Sequence, residues 1–181
     1  MLQLKTLDRA RCHSLRALIV EDNQHMRALL RALLMAIEIR QIFESKDGSA
    51  GLDKLPEYKP DFILTDLSMA PMNGIDFTRA LRRIPDDDFS VVPVIMVTGH
   101  TEKARIHAAR DAGVNEVLAK PLTVAGLINR IEEIIYRPRK FVRCATYLGP
   151  CRRRRDHPGY FGPWRRKDDG DKKETFDLDS L

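Results

Sequence analysis

Short apolar runs alternate with longer stretches of helical period between residues 15 and 137. Residues 15–20 read as a buried strand that runs into Glu21-Asp22. From residue 23 to 39, Met26, Leu29, Leu30, Leu33, Leu34 and Ile37 recur at three-to-four spacing, the pattern of an amphipathic helix. A second strand near residues 41–44 leads through Asp47-Gly48 to a helix carrying Ala50, Leu52 and Leu55, which Pro56 and Pro60 stop. The next apolar run, Phe62-Ile63-Leu64-Thr65, closes on Asp66. A loop over 67–74 precedes a helix with Ile75, Phe77, Ala80, Leu81 and Ile84 that ends at Pro85, and Asp86-Asp87-Asp88 is expected as a solvated turn. Residues 91–97 are rich in β-branched side chains and read as a central strand ending at Thr98-Gly99. A helix over 102–112, a strand over 116–119, a break at Lys120-Pro121 and a helix over 123–136 complete the series.

Five strands alternating with five helices predict an α/β fold of three layers, a doubly wound parallel sheet. In such sheets the ligand site lies beyond the carboxyl ends of the strands. Those ends carry Glu21-Asp22, Asp66, Thr98 and Lys120. Past residue 137 both periods vanish and a repeat takes over: Tyr-x-Gly-Pro-x-Arg-Arg occurs at 147–153 and again at 160–166. A repeat this short builds no core, so its Gly-Pro units are expected as turns on a partly disordered, largely irregular segment. The expected organisation is an extension over 1–14, a folded domain over 15–137 and a basic tail over 138–181.

Composition narrows the classes. A chain of 181 residues with 43% hydrophobic content suits one ordinary domain and a tail. Its apolar stretches fall short of the ~18 residues that suggest a membrane span, and residues 1–15 lack the apolar core of a secretory signal, so a cytoplasmic protein is expected. Three cysteines form an odd set, expected as reduced thiols. A zinc set drawn from Cys144, Cys151 and His157 matches no paired-cysteine spacing. The formal charge of +5 arises wholly past residue 137, since residues 1–137 are balanced.

The strand ends carry the chemistry. Asp is depleted in strands and costly to bury, so Asp66 at the close of an apolar run marks a working carboxylate. Carboxylates brought close together repel, and Mg²⁺ relieves that repulsion through one or two carboxylates with water and phosphate oxygens; Asp22 and Asp66 suit that count. An Asp carboxylate also serves as a nucleophile toward phosphorus, with the Lys120 ammonium and Thr98 hydroxyl holding phosphoryl oxygens.

LIVEDN at 18–23, DFILTDLSM at 61–69, MVTGH at 96–100 and VLAKP at 117–121 stand in the order and at the separations of a known family. The chain resembles the receiver domain of two-component response regulators. The resemblance implies a flavodoxin-like sheet of order 2-1-3-4-5 and a phosphoacceptor at Asp66, supplied by a histidine kinase or phosphotransfer protein. It implies Mg²⁺ held by Asp22, Asp66 and the Ser68 backbone carbonyl, with Glu21 acting through water. Thr98 matches the switch hydroxyl, Lys120 the lysine that pairs with the phosphoryl group, and Pro121 a position often preceded by a cis peptide. Three positions depart from the family pattern. Met69-Ala70-Pro71-Met72 shifts the usual proline by one. Val117 replaces the aromatic residue whose rotation reports phosphorylation, and His100 follows Gly99 near the site, so His100 and Val117 are candidate modulators.

Other features read more plainly. His25 is expected on the helix surface, and Met69 and Met72 as packing residues. In the tail, Tyr147, Arg152, Arg153, Tyr160, Trp164, Arg165 and Arg166 combine aromatic rings with guanidinium forks, a composition suited to a protein docking partner or to phosphate-rich surfaces. The leading expectation is a signalling switch that takes phosphate on Asp66 and changes its affinity for an output protein, with dimerisation through the fourth helix, fifth strand and fifth helix as an option. The alternatives are a nucleic-acid-binding regulator acting through the tail and a metal-dependent phosphohydrolase. Against the last stands Ser68, where such enzymes carry a second acid two residues past the nucleophile.

Overall fold

The computed structural model describes residues 8–99, 102–151 and 174–176. Five parallel strands, β1 (Arg16–Val20), β2 (Gln41–Ser45), β3 (Phe62–Asp66), β4 (Val94–Thr98) and β5 (Glu116–Ala119), form one sheet in the order β2-β1-β3-β4-β5. This is the flavodoxin-like order expected from the resemblance. Every residue of β3 and β4 is buried, which is why these strands read as unbroken apolar runs.

Alternate strand residues feed two cores, because successive strand side chains point to opposite faces. Ala17, Ile19, Phe62, Leu64, Ile95 and Val97 meet α2 (Gln24–Ala36) and α8 (Val124–Tyr136) on one face. Leu18, Val20, Ile63, Val94 and Met96 meet Leu55, Phe77, Leu81 and Ala109 on the other. These come from α4 (Leu55–Tyr58), α5 (Gly74–Arg82) and α7 (Lys103–Asp111). The loops leaving β1, β3 and β5 enter capped helices: Asn23 accepts from Met26 N, Asn73 from Asp76 N and Thr123 from Gly126 N. Those caps fix the ends of the loops that carry the candidate site.

Several boundaries differ from expectation for local reasons. The first long helix stops at Ala36, because Glu38 turns left-handed (φ 69°) and Ile39 N returns to Leu34 O. The helix expected over 50–55 divides into α3 (Gly48–Asp53) and α4, and Pro56 falls in the first turn of α4, where its missing N–H costs nothing. Asp86 caps a single helical turn, α6 (Asp87–Ser90), in place of the open turn expected there. Ahead of β1, α1 (Arg9–Ser14) buries Cys12 in the first core.

Past residue 137, in the segment expected to be largely irregular, the described residues include a short sheet. Phe141–Cys144 (β6) and Tyr147–Pro150 (β7) form an antiparallel hairpin, which Glu174–Phe176 (β8) joins on the far side of β6. Gly149-Pro150, expected as a turn, lies in β7 opposite Val142 and Phe141. The hairpin sits at the amino ends of β4 and β5: a Cβ on Gly149 would stand 2.8 Å from the Gly113 Cα, and Leu148 O is equally close to where one on Gly113 would be. Beneath it, buried Arg82 donates all five of its N–H groups, to Gly113 O (3.1 and 2.9 Å), Ser90 O (2.7 Å), Val92 O (2.8 Å) and Asn115 Oδ1 (3.0 Å). The guanidinium carbon lies 5.2 Å from the centre of the Phe141 ring. Burial pushes Arg82 down to about 9, so it remains protonated at neutral pH. Arg139 reaches Asn115 O and Glu116, and Arg143 reaches Asp87.

Candidate functional site at the carboxyl ends of the strands

Asp66 ends β3 at 5% exposure, and the backbone beyond it packs tightly. Gly74 donates its N–H to Leu67 O (3.1 Å), and a Cβ on Gly74 would fall 2.2 Å from the carbonyl oxygen of Asp66. Both carboxylate oxygens of Asp66 are engaged: Oδ1 accepts from Lys120 Nζ at 2.6 Å and Oδ2 from Ser68 N at 2.6 Å. Lys120 follows β5, and its own N–H donates to Thr98 O (2.8 Å), so the ends of β3, β4 and β5 are joined through one lysine. Thr98 is buried at the end of β4. The structure therefore brings Asp66, Lys120 and Thr98 together.

The acidic pair lies at the end of β1, next to β3. Glu21 is buried; its Oε1 accepts from Asn23 N (3.1 Å), while Oε2 has no hydrogen-bond partner. Loss of water around the carboxyl pushes Glu21 up to about 7; the Asn23 N–H opposes the rise and the charge of Asp66 adds to it. Asp22 is exposed, and its Oδ2 accepts from Ala70 N (3.2 Å), which ties the acidic pair to the loop after Asp66. Arg27 donates to the backbone oxygens of both Glu21 (2.7 Å) and Asp22 (3.1 Å).

Among the described residues no three His, Cys, Asp or Glu side chains are arranged to hold a metal ion. The donor set nonetheless fits Mg²⁺ bound chiefly through water and phosphate: all its donors are oxygen, only two carboxylates are needed, and the buried Glu21 Oε2 lacks a partner. Asp22, Asp66 and the Ser68 carbonyl are the residues that would hold it, with Glu21 acting through water.

The remaining sequence candidates divide. Val117 pairs with Met96 and packs, partly buried, against the second core. The peptide before Pro121 is cis, as is that before Pro71. Met69 is buried in the second core and Met72 packs, partly buried, against that core. Tyr147 donates its hydroxyl to Pro150 O (2.9 Å), within its own hairpin. His100, Arg152, Arg153, Tyr160, Trp164, Arg165 and Arg166 lie outside the described residues, as does His157. Gly74, Arg27 and Arg82 were not singled out from the sequence. Arg27 carried a usable signal, since a cation in the first turns of a helix opposes the dipole.

A model described as the response regulator receiver domain matches residues 17–132. The chain belongs to the response regulator receiver family. It is 37% identical over 123 residues to the chemotaxis protein CheY of Pseudomonas aeruginosa, covering 68% of this chain and 98% of that relative. It is 33% identical over 124 residues to the chemotaxis protein CheY-3 of Vibrio cholerae, covering 68% and 94%. The fold is shared with a putative response regulator from Chloroflexus aurantiacus (TM-score 0.63, 23% identity, 67% of this chain and 98% of that one). A receiver domain of a signal transduction histidine kinase from Syntrophus aciditrophicus is similarly related (TM-score 0.61, 23% identity, 68% and 91%). This receiver is thus a CheY-like protein of two-component signalling, a family that generally binds Mg²⁺. The hairpin of residues 141–150 lies beyond the matched span. No helix among the described residues is long and apolar enough to cross a membrane.

Proposed function

We propose that this receiver is a phosphorelay switch: Asp66 accepts a phosphoryl group from a histidine kinase or phosphotransfer protein, and the change alters affinity for a partner protein. The observation that carries the proposal is the pairing of buried Asp66 with half-buried Lys120 at 2.6 Å, near the unpartnered oxygen of Glu21. An oxygen of Asp66 attacks the phosphorus of a phosphohistidine. The P–O bond forms as the P–N bond breaks, and the imidazole leaves with the electron pair and takes a proton from solvent. Lys120, already on Asp66 Oδ1, has only to pivot to meet a phosphoryl oxygen. Thr98, one strand away at the same level, offers a hydroxyl to another. Bound Mg²⁺ supplies neutralisation of the charge on the phosphoryl oxygens.

Incubation with acetyl phosphate and Mg²⁺ should add one phosphoryl group, read by intact mass and lost on treatment with hydroxylamine. Labelling that persists unchanged in Asp66→Asn would overturn the proposal. The partner of the switched state is a protein, met either through the tail or through the face of α7, β5 and α8, which also serves if the chain dimerises. The nucleic-acid reading draws no support from Arg139 and Arg143, whose guanidinium groups are turned onto the domain itself. Ser68 stands where a phosphohydrolase of this kind carries its second acid, and a hydroxyl there supplies no carboxyl to turn over external esters.

A further inference from the structure

Arg27 is placed where a cation is electrostatically unwelcome, in the first turns of α2, and is held there by specific contacts. Its backbone N–H donates to Asn23 O (2.9 Å), closing the first turn. Its Nη1 bridges two successive carbonyls, Glu21 O at 2.7 Å and Asp22 O at 3.1 Å. Its Nε lies 3.6 Å from Glu44 Oε2, and the other oxygen of Glu44 accepts from Arg31 Nε at 2.5 Å. Glu44 belongs to β2, which pairs with β1 along its whole length, so the anchor of Arg27 is fixed to the same sheet that carries the acidic pair. The side chain is 18% exposed.

The loop is therefore gripped from two sides. On one side the backbone oxygens of Glu21 and Asp22 are taken by Arg27. On the other side Glu21 Oε1 is held by Asn23 N and Asp22 Oδ2 by Ala70 N. We infer that Arg27 is a positioning residue for cation binding: by bridging the two carbonyls it fixes the peptide between Glu21 and Asp22 and so aims both carboxylates at Asp66. This rests on the reading of Asp22 and Asp66 as Mg²⁺ ligands.

Two physical effects of Arg27 on a bound cation have opposite signs, which makes the inference testable. As a charge, Arg27 repels Mg²⁺, so its removal alone would tighten binding. As a positioner, it preorganises the ligands, and outer-shell residues of that kind typically matter by about 10–100-fold in metal affinity. Titration of the full chain with MgCl₂ by calorimetry compares wild type with Arg27→Gln and Arg27→Lys. Positioning predicts that Arg27→Gln weakens Mg²⁺ binding about ten-fold. Arg27→Lys, which keeps the charge and the aliphatic stem but has no planar fork, is also expected to weaken it. Unchanged or tighter binding in Arg27→Gln, or wild-type affinity in Arg27→Lys, would overturn the inference. Thermal melts of the metal-free variants identify loss of fold, and an affinity loss in a variant that melts below the titration temperature counts against positioning. Absence of Mg²⁺ binding by the wild type would instead sink the underlying reading of the site.

Discussion

Replacing Phe141 by alanine tests whether the hairpin past residue 137 is part of the receiver's folding unit. Phe141 is fully buried, pairs with Pro150 in β7 and Phe176 in β8, and lies under the guanidinium of Arg82. Truncation of a buried Phe to Ala costs about 3–5 kcal/mol from lost transfer energy and the cavity left behind. A desolvated cation–π contact is worth up to about 2 kcal/mol, but it belongs to the same ring and is not added in full. One effect runs the other way, since water entering the space left by the ring rehydrates Arg82, whose burial pushes its pKa down. The net expectation is about 3 kcal/mol, toward the low end of the Phe→Ala range.

Against a total stability of roughly 5–15 kcal/mol that is a large share. At about 2–4 °C per kcal/mol for a chain of this size, the melting temperature should fall by roughly 6–12 °C. Urea unfolding of the metal-free protein at neutral pH measures the change directly, with Phe141→Leu separating the ring contact from the loss of volume. A loss below about 0.5 kcal/mol, the level of an ordinary surface substitution, would refute the reasoning and leave the hairpin an ornament of the domain.

Gly74→Ala should displace the backbone after Asp66, because the new methyl would meet the Asp66 carbonyl oxygen at 2.2 Å. A stability loss of about 1–3 kcal/mol together with slower labelling by acetyl phosphate is the expected outcome, checked by urea unfolding and intact mass. Lys120→Gln removes the cation paired with Asp66, whose side chain is 7% exposed while that of Lys120 is 28% exposed. Allowing for that exposure, the metal-free protein should lose about 1–3 kcal/mol, and scanning fluorimetry should show MgCl₂ raising its melting temperature more than that of the wild type. Cys12 is 1% exposed, and burial raises its pKa, with Asp8 and Glu38 adding to the rise, so its thiolate population at pH 8 is reduced. Ellman's reagent should titrate Cys144 and Cys151 in the native protein and Cys12 only after unfolding; three fast thiols would contradict the packing of α1.

The sheet and the ends of its strands were legible because strands covered on both faces must be apolar throughout. An acid closing such a run, as Asp66 closes β3, therefore stands out against its context. The order of those ends in the sequence then matched a single family. The hairpin left no comparable mark. Its strands have four residues each, one ends in Gly149-Pro150, and they pack against Arg82 and Gly113, far away in sequence. Strand propensity measures fit to a surrounding surface, and here that surface is built by other parts of the chain. Pro56 misled for a related reason: a proline stops a helix from within but starts one equally well, and only the break at Lys54 decides between the two. Arg27 was missed because two of its partners are backbone oxygens, which every sequence has, and the third, Glu44, lies on another strand.

Buried charge at the two ends of the sheet is treated in opposite ways, and the contrast sets the candidate site apart from the opposite end. At the amino ends, Arg82 gives each N–H to an oxygen fixed by the backbone or by Asn115, and an aromatic ring covers it. A cation so completely solvated by the protein has no vacancy for a ligand and acts as a brace. At the carboxyl ends, Glu21 keeps one oxygen buried without a partner and is pushed up to about 7. Native proteins seldom leave such a group unsatisfied, because it costs about 1–3 kcal/mol or more, and water or a cation at the site would satisfy it. The unsatisfied oxygen lies beside the carboxylate that Lys120 holds, so a state that adds positive charge there gains most. On the proposed function, a phosphoryl group on Asp66 adds negative charge at the same place, so phosphorylation and cation binding should each strengthen the other by the same factor. Stronger Mg²⁺ binding by wild-type protein carrying a phosphoryl mimic such as beryllofluoride, and no such gain in Asp66→Asn, is the measurement that checks the link.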